Sequence, residues 1–184
     1  MEEKAPETTK ENKPEEKKAP RVSTKELAIR LGIKIAAIVF CVWIAVTFVF
    51  GVNIHYGNNM HPALNDGDLV VSLRLQKPYI NAAVLYKWEG KQCVGRVVAL
   101  PGNKVDITEN GELTINGVIA SEDIYYPTQK AEQSSITYPY TVEEGKAFLL
   151  NDNRTDTNDS RTFGAVDLNV IEGPIIFSFR RRGF

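Results

Sequence analysis

Between Ile35 and Ile54 the chain reads IAAIVFCVWIAVTFVFGVNI, twenty residues without a charge. As an α-helix this stretch would be about 30 Å long, the thickness of a bilayer's hydrocarbon core. A buried helix of a soluble domain rarely runs so far without a polar face. A cleaved signal sequence has a shorter apolar core and ends at a small-residue site, for which only Val49-Phe50-Gly51 is present. The stretch is therefore expected to be an uncleaved transmembrane anchor. Lys17, Lys18, Arg21, Lys25, Arg30 and Lys34 precede it, and no Lys or Arg follows until Arg74. The positive-inside rule then gives a single-pass protein of the cell membrane. Its N-terminus is cytoplasmic, residues 35–54 contact lipid, and residues 55–184 are extracytoplasmic.

Residues 1–20 hold six Glu, five Lys and three Pro, with no aromatic or large aliphatic residue after Met1. Such a segment cannot bury enough apolar surface to offset the entropy of ordering, so a disordered cytoplasmic tail is expected over 1–24. The anchor helix and its juxtamembrane segment take 25–54, and a domain of ordinary size takes 55–184. Apolar residues are 43% of the chain and charged residues 24%, which is globular rather than multispan composition. The net charge of −1, from 22 Lys+Arg against 23 Asp+Glu, provides no basic field for nucleic acid. Two cysteines, Cys41 and Cys93, are too few for a disulfide framework or a cysteine-rich metal site, and no metal or cofactor is expected. With Cys41 in the membrane the two cannot pair, and Cys93 reads as a small core residue.

Beyond His55 the pattern is mainly β. Short β-rich runs cover Leu69–Leu75, Ala83–Trp88, Lys91–Leu100, Lys104–Thr108, Glu112–Asn116, Lys146–Leu150 and Pro174–Arg180. They are broken at Asn65-Asp66-Gly67, Glu89-Gly90, Pro101-Gly102, Asn110-Gly111 and Asn116-Gly117. One hairpin can be read in register. A two-residue Asn110-Gly111 loop would oppose Glu109 to Glu112 and split Ile107 and Leu113 between faces. A three-residue loop, Glu109-Asn110-Gly111, sets Ile107 opposite Leu113 and Val105 opposite Ile115, all on one face. Four of the seven tyrosines fall between Tyr125 and Tyr140, flanking a polar stretch. The simplest expectation is a long hairpin whose tyrosines cover the sheet, with a partner-binding loop as the alternative. Arg180-Arg181-Arg182, between Phe179 and Phe184, read either as a solvated end or as a contact for anionic headgroups.

Three segments stand out together. The first is Gly57-Asn58-Asn59-Met60-His61-Pro62-Ala63-Leu64 with Gly67-Asp68, just after the apolar stretch. The second is Val94-Gly95-Arg96-Val97-Val98-Ala99-Leu100-Pro101-Gly102. The third is Asn151-Asp152-Asn153-Arg154, Thr157, Asp159-Ser160-Arg161, Phe163-Gly164 and Val166. In this order behind one N-terminal span, over nearly all of residues 35–175, they resemble the bacterial type I signal peptidases. The resemblance implies an antiparallel signal-peptidase-like β domain and cleavage of signal peptides by a serine–lysine dyad. A desolvated lysine with a lowered pKa takes the serine's proton, and nearby donors stabilise the oxyanion.

At the two dyad positions this chain has Asn59 and Gly95, while Met60, Pro62, Gly67, Asp68, Arg96, Leu100, Pro101 and Gly102 match around them. Removing a nucleophile or base that act as a unit costs on the order of 10⁶ in turnover. The leading expectation is a pseudoenzyme whose cleft residues Asn59, Met60, Pro62 and Thr157 bind without cutting. By resemblance to catalytically incomplete relatives in Gram-positive bacteria, its partner is an exported or pilus protein, a pilin, with sortase alongside. One alternative is a peptidase using displaced groups such as Thr157, at a position where the family often has a serine. Another is a passive module binding through Tyr125–Tyr140. Asp152, Asn153, Arg154, Asp159, Ser160 and Arg161 are expected to hold a tight loop by carboxylate–guanidinium pairing. His55 and His61, with no metal-ligand spacing, are expected at the rim of the domain.

Overall fold

A computed structural model describes residues 23–122, 124 and 126–180. Residues 1–22 of the tail expected over 1–24, Tyr125, and Arg181 to Phe184 lie outside the described residues. Helix α1 runs Thr24–Ile44 and continues as one π-helical turn, Ala45–Val49. Together they make 26 residues, long and apolar enough to cross a membrane and unburied along their length.

The apolar stretch is divided where the sequence reading continues it as helix to Ile54. Phe50–Ile54 is strand β1, paired antiparallel with β2, Leu69–Leu73. The cause is local. Gly51 permits close approach, since a Cβ there would lie 2.4 Å from Ser72 Oγ. Val52 and Ile54 are β-branched, and Asn53 is a poor helix former. The Arg74 guanidinium donates to Thr47 O and its backbone N–H to Val49 O, tying the end of β2 to the π-turn.

The remaining strands are β3 Ala83–Trp88, β4 Lys91–Ala99, β5 Lys104–Ile107, β6 Leu113–Ile115, β7 Val118–Ile119, β8 Tyr140–Thr141, β9 Lys146–Leu150, β10 Val166–Asp167 and β11 Ile171–Phe179. Helix α2 is a single turn, Ser160–Phe163. One sheet has the order β1-β2-β11-β3-β4-β9-β10 and the other β7-β6-β5-β8, with antiparallel pairing throughout. The domain is therefore mainly antiparallel β behind one apolar helix, as expected.

The hairpin register is also as expected. Val105 pairs with Ile115 and Ile107 with Leu113, and Gly111 takes φ +80°. Four short or early strands were not legible. β11 begins three residues before the anticipated Pro174. Gly173, at φ 147°, lets the strand pass Leu73 O, where a Cβ would sit at 2.2 Å. The first half of β11 pairs with β3 and the second with β2, across irregular registers.

β9 explains how the core is divided. Four consecutive residues, Ala147 to Leu150, are fully buried, so both faces are covered. Phe148 and Leu150 enter a cluster with Val98, Val105, Ile107 and Leu113. Ala147 and Leu149 enter another with Val84, Tyr86, Val97 and Val166. A third cluster, Met60, Leu64, Val70, Leu85 and Val94, underlies the first motif segment.

The stretch after Tyr125 is not a hairpin. It is irregular up to β8, with Thr128 buried as a partner of Arg154 and Tyr138 and Tyr140 packed on the first cluster. Its polar side chains form no alternating pattern, so nothing drives a long ladder. Cys93 is half-buried, and burial pushes its thiol above the ordinary value; Cys41 is exposed on α1, and both are free.

Candidate functional site

Asn59 sits in the loop between β1 and β2 and is held from three sides. Its Nδ2 donates to Val94 O at 3.0 Å and to Asn151 Oδ1 at 3.0 Å, and its carbonyl accepts from Asn153 N at 2.9 Å. Val94 O is the carbonyl just before Gly95. The Asn59 side chain thus reaches the peptide unit that joins Val94 to Gly95, although the two expected dyad positions are 36 positions apart in sequence. The Asn59 amide links the first motif segment to β4 and to the end of β9. It presents no nucleophilic hydroxyl.

Gly95 is buried on β4, opposite Val84, with Tyr86 and Leu149 as diagonal neighbours on the same face. A Cβ at Gly95 would lie 3.3 Å from Tyr86 Cε1 and 3.3 Å from Leu149 Cβ. A side chain from position 95 would therefore start in tight contact with a ring and an aliphatic group. Tyr86 itself is 2% exposed, and burial pushes its phenol well above the ordinary value. Sequence alone did not single out Tyr86. Its place opposite Cys93 becomes readable only once the β3–β4 register is known.

The third segment forms a buried knot around Asp159. Its carboxylate accepts from Asn151 N (2.9 Å), Arg161 N (3.0 Å), Arg161 Nε (2.9 Å) and Arg161 Nη2 (2.7 Å), and it caps α2. Arg161 also donates to Gln129 O, Arg154 O and Asp156 O, so all five of its N–H groups are placed. Ser160 Oγ accepts from Leu149 N at 3.0 Å, and Asn151 Nδ2 donates to Asp156 O and Asn158 O. Asn153 Nδ2 donates to Asn58 O, and its Oδ1 holds Thr155.

Of the charge pairs expected within this segment, only Asp159–Arg161 forms there. Asp152 instead takes Arg96 in a bidentate pair, Nε–Oδ1 2.6 Å and Nη2–Oδ2 2.5 Å, which raises the guanidinium pKa further. Arg154, fully buried, pairs with Glu122 and donates to Thr128 Oγ1 at 2.6 Å. The segment is therefore clamped to β4 and to the strap after β7. Glu122 was missed because nothing in its local sequence distinguishes it.

Met60 is 0% exposed and belongs to the core, so it lines no cleft; the alternation that buries it was not readable in a loop. Pro62 is exposed and borders a cavity of about 490 Å³ with Ala63, Asn81, Arg96, Glu122 and Asp152. A second apolar cavity shares Asn81, Ser121 and Glu122 and extends to Ile80, Val118 and Ile119. Thr157 lines neither. It borders a polar groove of about 530 Å³ with Gln129, Thr155, Asn158 and Thr162. Among the described residues no group of three or more His, Cys, Asp or Glu is placed to hold a metal ion.

His61 is exposed, but His55 is buried rather than at the rim, because it points inward from the end of β1. Burial lowers its pKa; Asp68, Asp66 and a hydrogen bond to the Gly57 backbone oppose that shift. The unfolded chain then binds the His55 proton more readily than the folded chain. Stability from this group is present above the ordinary value of 6.5 and lost as pH falls through and below it. Urea denaturation across that window is expected to show a stability rising with pH and levelling above 6.5, with a smaller rise in His55→Gln.

Three comparisons bear on this arrangement. The profile for signal peptidase, peptidase S26, matches residues 28–180. Signal peptidase I of Bacillus caldolyticus is 31% identical over 147 residues, covering 72% of this chain and 80% of that protein. Signal peptidase IB of Staphylococcus aureus is 30% identical over 144 residues, covering 67% of this chain and 74% of that protein. A crystal structure of a signal peptidase I from Enterococcus faecalis shares 31% identity at a TM-score of 0.46, covering 54% of this chain and 97% of that chain.

Proposed function

The chain belongs to the signal peptidase family, peptidase S26, and we propose that within it this protein is a membrane-anchored pseudoenzyme that holds an extended segment of an exported protein without cutting it. The observation that carries this reading is the pair of positions Asn59 and Gly95. At one, an amide is committed to Val94 O and Asn151 Oδ1. At the other there is no side chain, and Tyr86 and Leu149 crowd the place where one would begin. Neither position can supply a nucleophile or a base. The charge bias before the apolar stretch supports a cytoplasmic N-terminus and an extracytoplasmic β domain.

A ligand is expected to enter in extended form. β9 ends at Leu150, paired with Arg96, so β4 before Arg96 has no strand partner on that side, where the Asn59 amide bonds Val94 O. An incoming strand can add to such an edge through main-chain hydrogen bonds. The resemblance to incomplete relatives beside pilus genes points to a pilin as the exported partner and to sortase-driven assembly as the setting.

Binding of a labelled signal-peptide segment to the full chain in nanodiscs tests this. Asn59→Ala is expected to weaken it roughly three- to tenfold, the worth of one or two hydrogen bonds. Unchanged affinity would remove the old cleft as the docking surface. A displaced-nucleophile peptidase, the rival reading, needs Thr157 beside a base, whereas Thr157 opens to a different groove from the one bordered by Pro62. The tyrosine-rich stretch is a weaker docking candidate, since Thr128, Tyr138 and Tyr140 are engaged in the scaffold.

A further inference from the structure

The second sheet ends on a short strand with an apolar trough beside it. β7 is the terminal strand in the order β7-β6-β5-β8. Ile115 and Val118 pair across the Asn116-Gly117 turn, and Ala120 N–H donates to Leu113 O at 2.8 Å. Alternation along an antiparallel ladder then turns the Ile119 N–H and C=O outward, to the open edge. Next to that edge lies a cavity of about 310 Å³, floored by Val98 and Ile115 and rimmed by Ile80, Val118 and Ile119. Both walls are fixed. Asn81, next to Ile80, donates its N–H to Val97 O at 2.7 Å, and its carbonyl accepts from Arg96 Nη1 at 2.7 Å. On the other side Arg154 holds Glu122, three residues beyond Ile119. The trough is thus formed before anything enters it, which lowers the ordering cost of binding.

Charge and area decide the occupant. Through Asn81, Ser121 and Glu122 the trough joins the cavity of about 490 Å³ bordered by Arg96 and Asp152. The Glu122 side chain is 6% exposed; its Oε1 accepts from Arg154 and its Oε2 from no described residue. Arg154 is fully buried and lines neither cavity, and both Asp152 oxygens are taken by Arg96. The carboxylate oxygen left over at the junction suits a hydrogen-bond donor, best a cation. Around it Tyr79, Ile80, Val118 and Ile119 are 50%, 47%, 69% and 59% exposed. Together they offer a few hundred Å² of apolar surface, short of the about 800 Å² per partner that a stable dimer buries. The area fits a strand-like segment rather than a second folded copy. In such a segment residues two apart share a face, so an aliphatic side chain in the trough leaves the next one at the junction.

We propose that the trough beside β7 binds an extended peptide segment of a partner protein. The segment pairs its main chain with Ile119, lays an aliphatic side chain over Val98 and brings a basic side chain two residues on to Glu122. This holds whether or not the cleft at Asn59 binds a ligand. The test titrates the full chain in nanodiscs, methyl-labelled at isoleucine and valine, with a heptapeptide of four threonines alternating with isoleucine, lysine and isoleucine. Saturable methyl shifts at Ile80, Ile115, Val118 and Ile119 are expected. Glutamate in place of the peptide's lysine should weaken binding about tenfold, by repulsion at Glu122. Ile119→Pro, which an edge strand tolerates while losing the outward N–H, should weaken it about fivefold. Ile80→Ser, on the opposite wall, should act in the same direction. Shifts at Val94 without shifts at Ile80 and Ile119 would put the peptide in the cleft and overturn the trough, as would no saturation in the millimolar range. Shifts at Val118 and Ile119 that follow protein concentration instead of peptide mean that a second copy covers the edge, and overturn it too. Equal affinity for the lysine and glutamate peptides overturns the role of Glu122.

Discussion

Asp159→Ala is expected to lower unfolding stability by about 3–5 kcal/mol, the cost of leaving a buried charge without its partner. The Arg161 guanidinium is 0% exposed, and two of its donors end on this carboxylate. The same carboxylate holds Asn151 N, whose side chain accepts from Asn59. The loss should therefore spread from the third motif segment to the cleft, and urea denaturation followed by tryptophan fluorescence reads it, since Trp88 stacks on Phe163 just beyond the knot. A change below 1 kcal/mol would mean that the loop is held by its backbone contacts alone. This pair serves the scaffold and needs no catalytic partner, which is why the motif can persist beside Asn59 and Gly95.

The second large effect concerns the reverse change. Asn59→Ser/Gly95→Lys puts back the residue types that the family resemblance implies, and in enzymes whose nucleophile and base act as a unit such a pair is worth on the order of 10⁶ in turnover. The structure sets a lower expectation. A Cβ at position 95 meets Tyr86 Cε1 and Leu149 Cβ at 3.3 Å each, so both must give before a lysine can pass. Overpacking of this kind costs about 1–3 kcal/mol. The double variant is thus expected to fold with that loss and to cleave preprotein measurably in single turnover, far below the full dyad value. An undiminished stability would show that Tyr86 and Leu149 do not obstruct the site.

Much of this was legible in the sequence. The Val105/Ile115 and Ile107/Leu113 register followed from face-matching across a three-residue loop, and β3 and β9 fell at the expected bounds. The end of the anchor did not, because hydropathy cannot separate a helix from an apolar strand that continues it; Gly51 and the β-branched residues around it carried the only hint. Pairings across long sequence distances were equally hidden. Arg96 with Asp152 and Arg154 with Glu122 are set by the sheet order, and local charge alternation suggested different partners. Met60 and Thr157 show the same limit from the site's side. A motif fixes where they lie along the chain, but the cleft is defined by which of them the surrounding strands bury.

The most direct measurement is cleavage of a signal-peptide-bearing preprotein by the full chain in lipid, with signal peptidase I of Bacillus caldolyticus as the positive control. No mature product is expected from this chain under conditions where the control goes to completion. Mature product that disappears in Asn59→Ala or Thr157→Ala would contradict it and return the protein to the active peptidases.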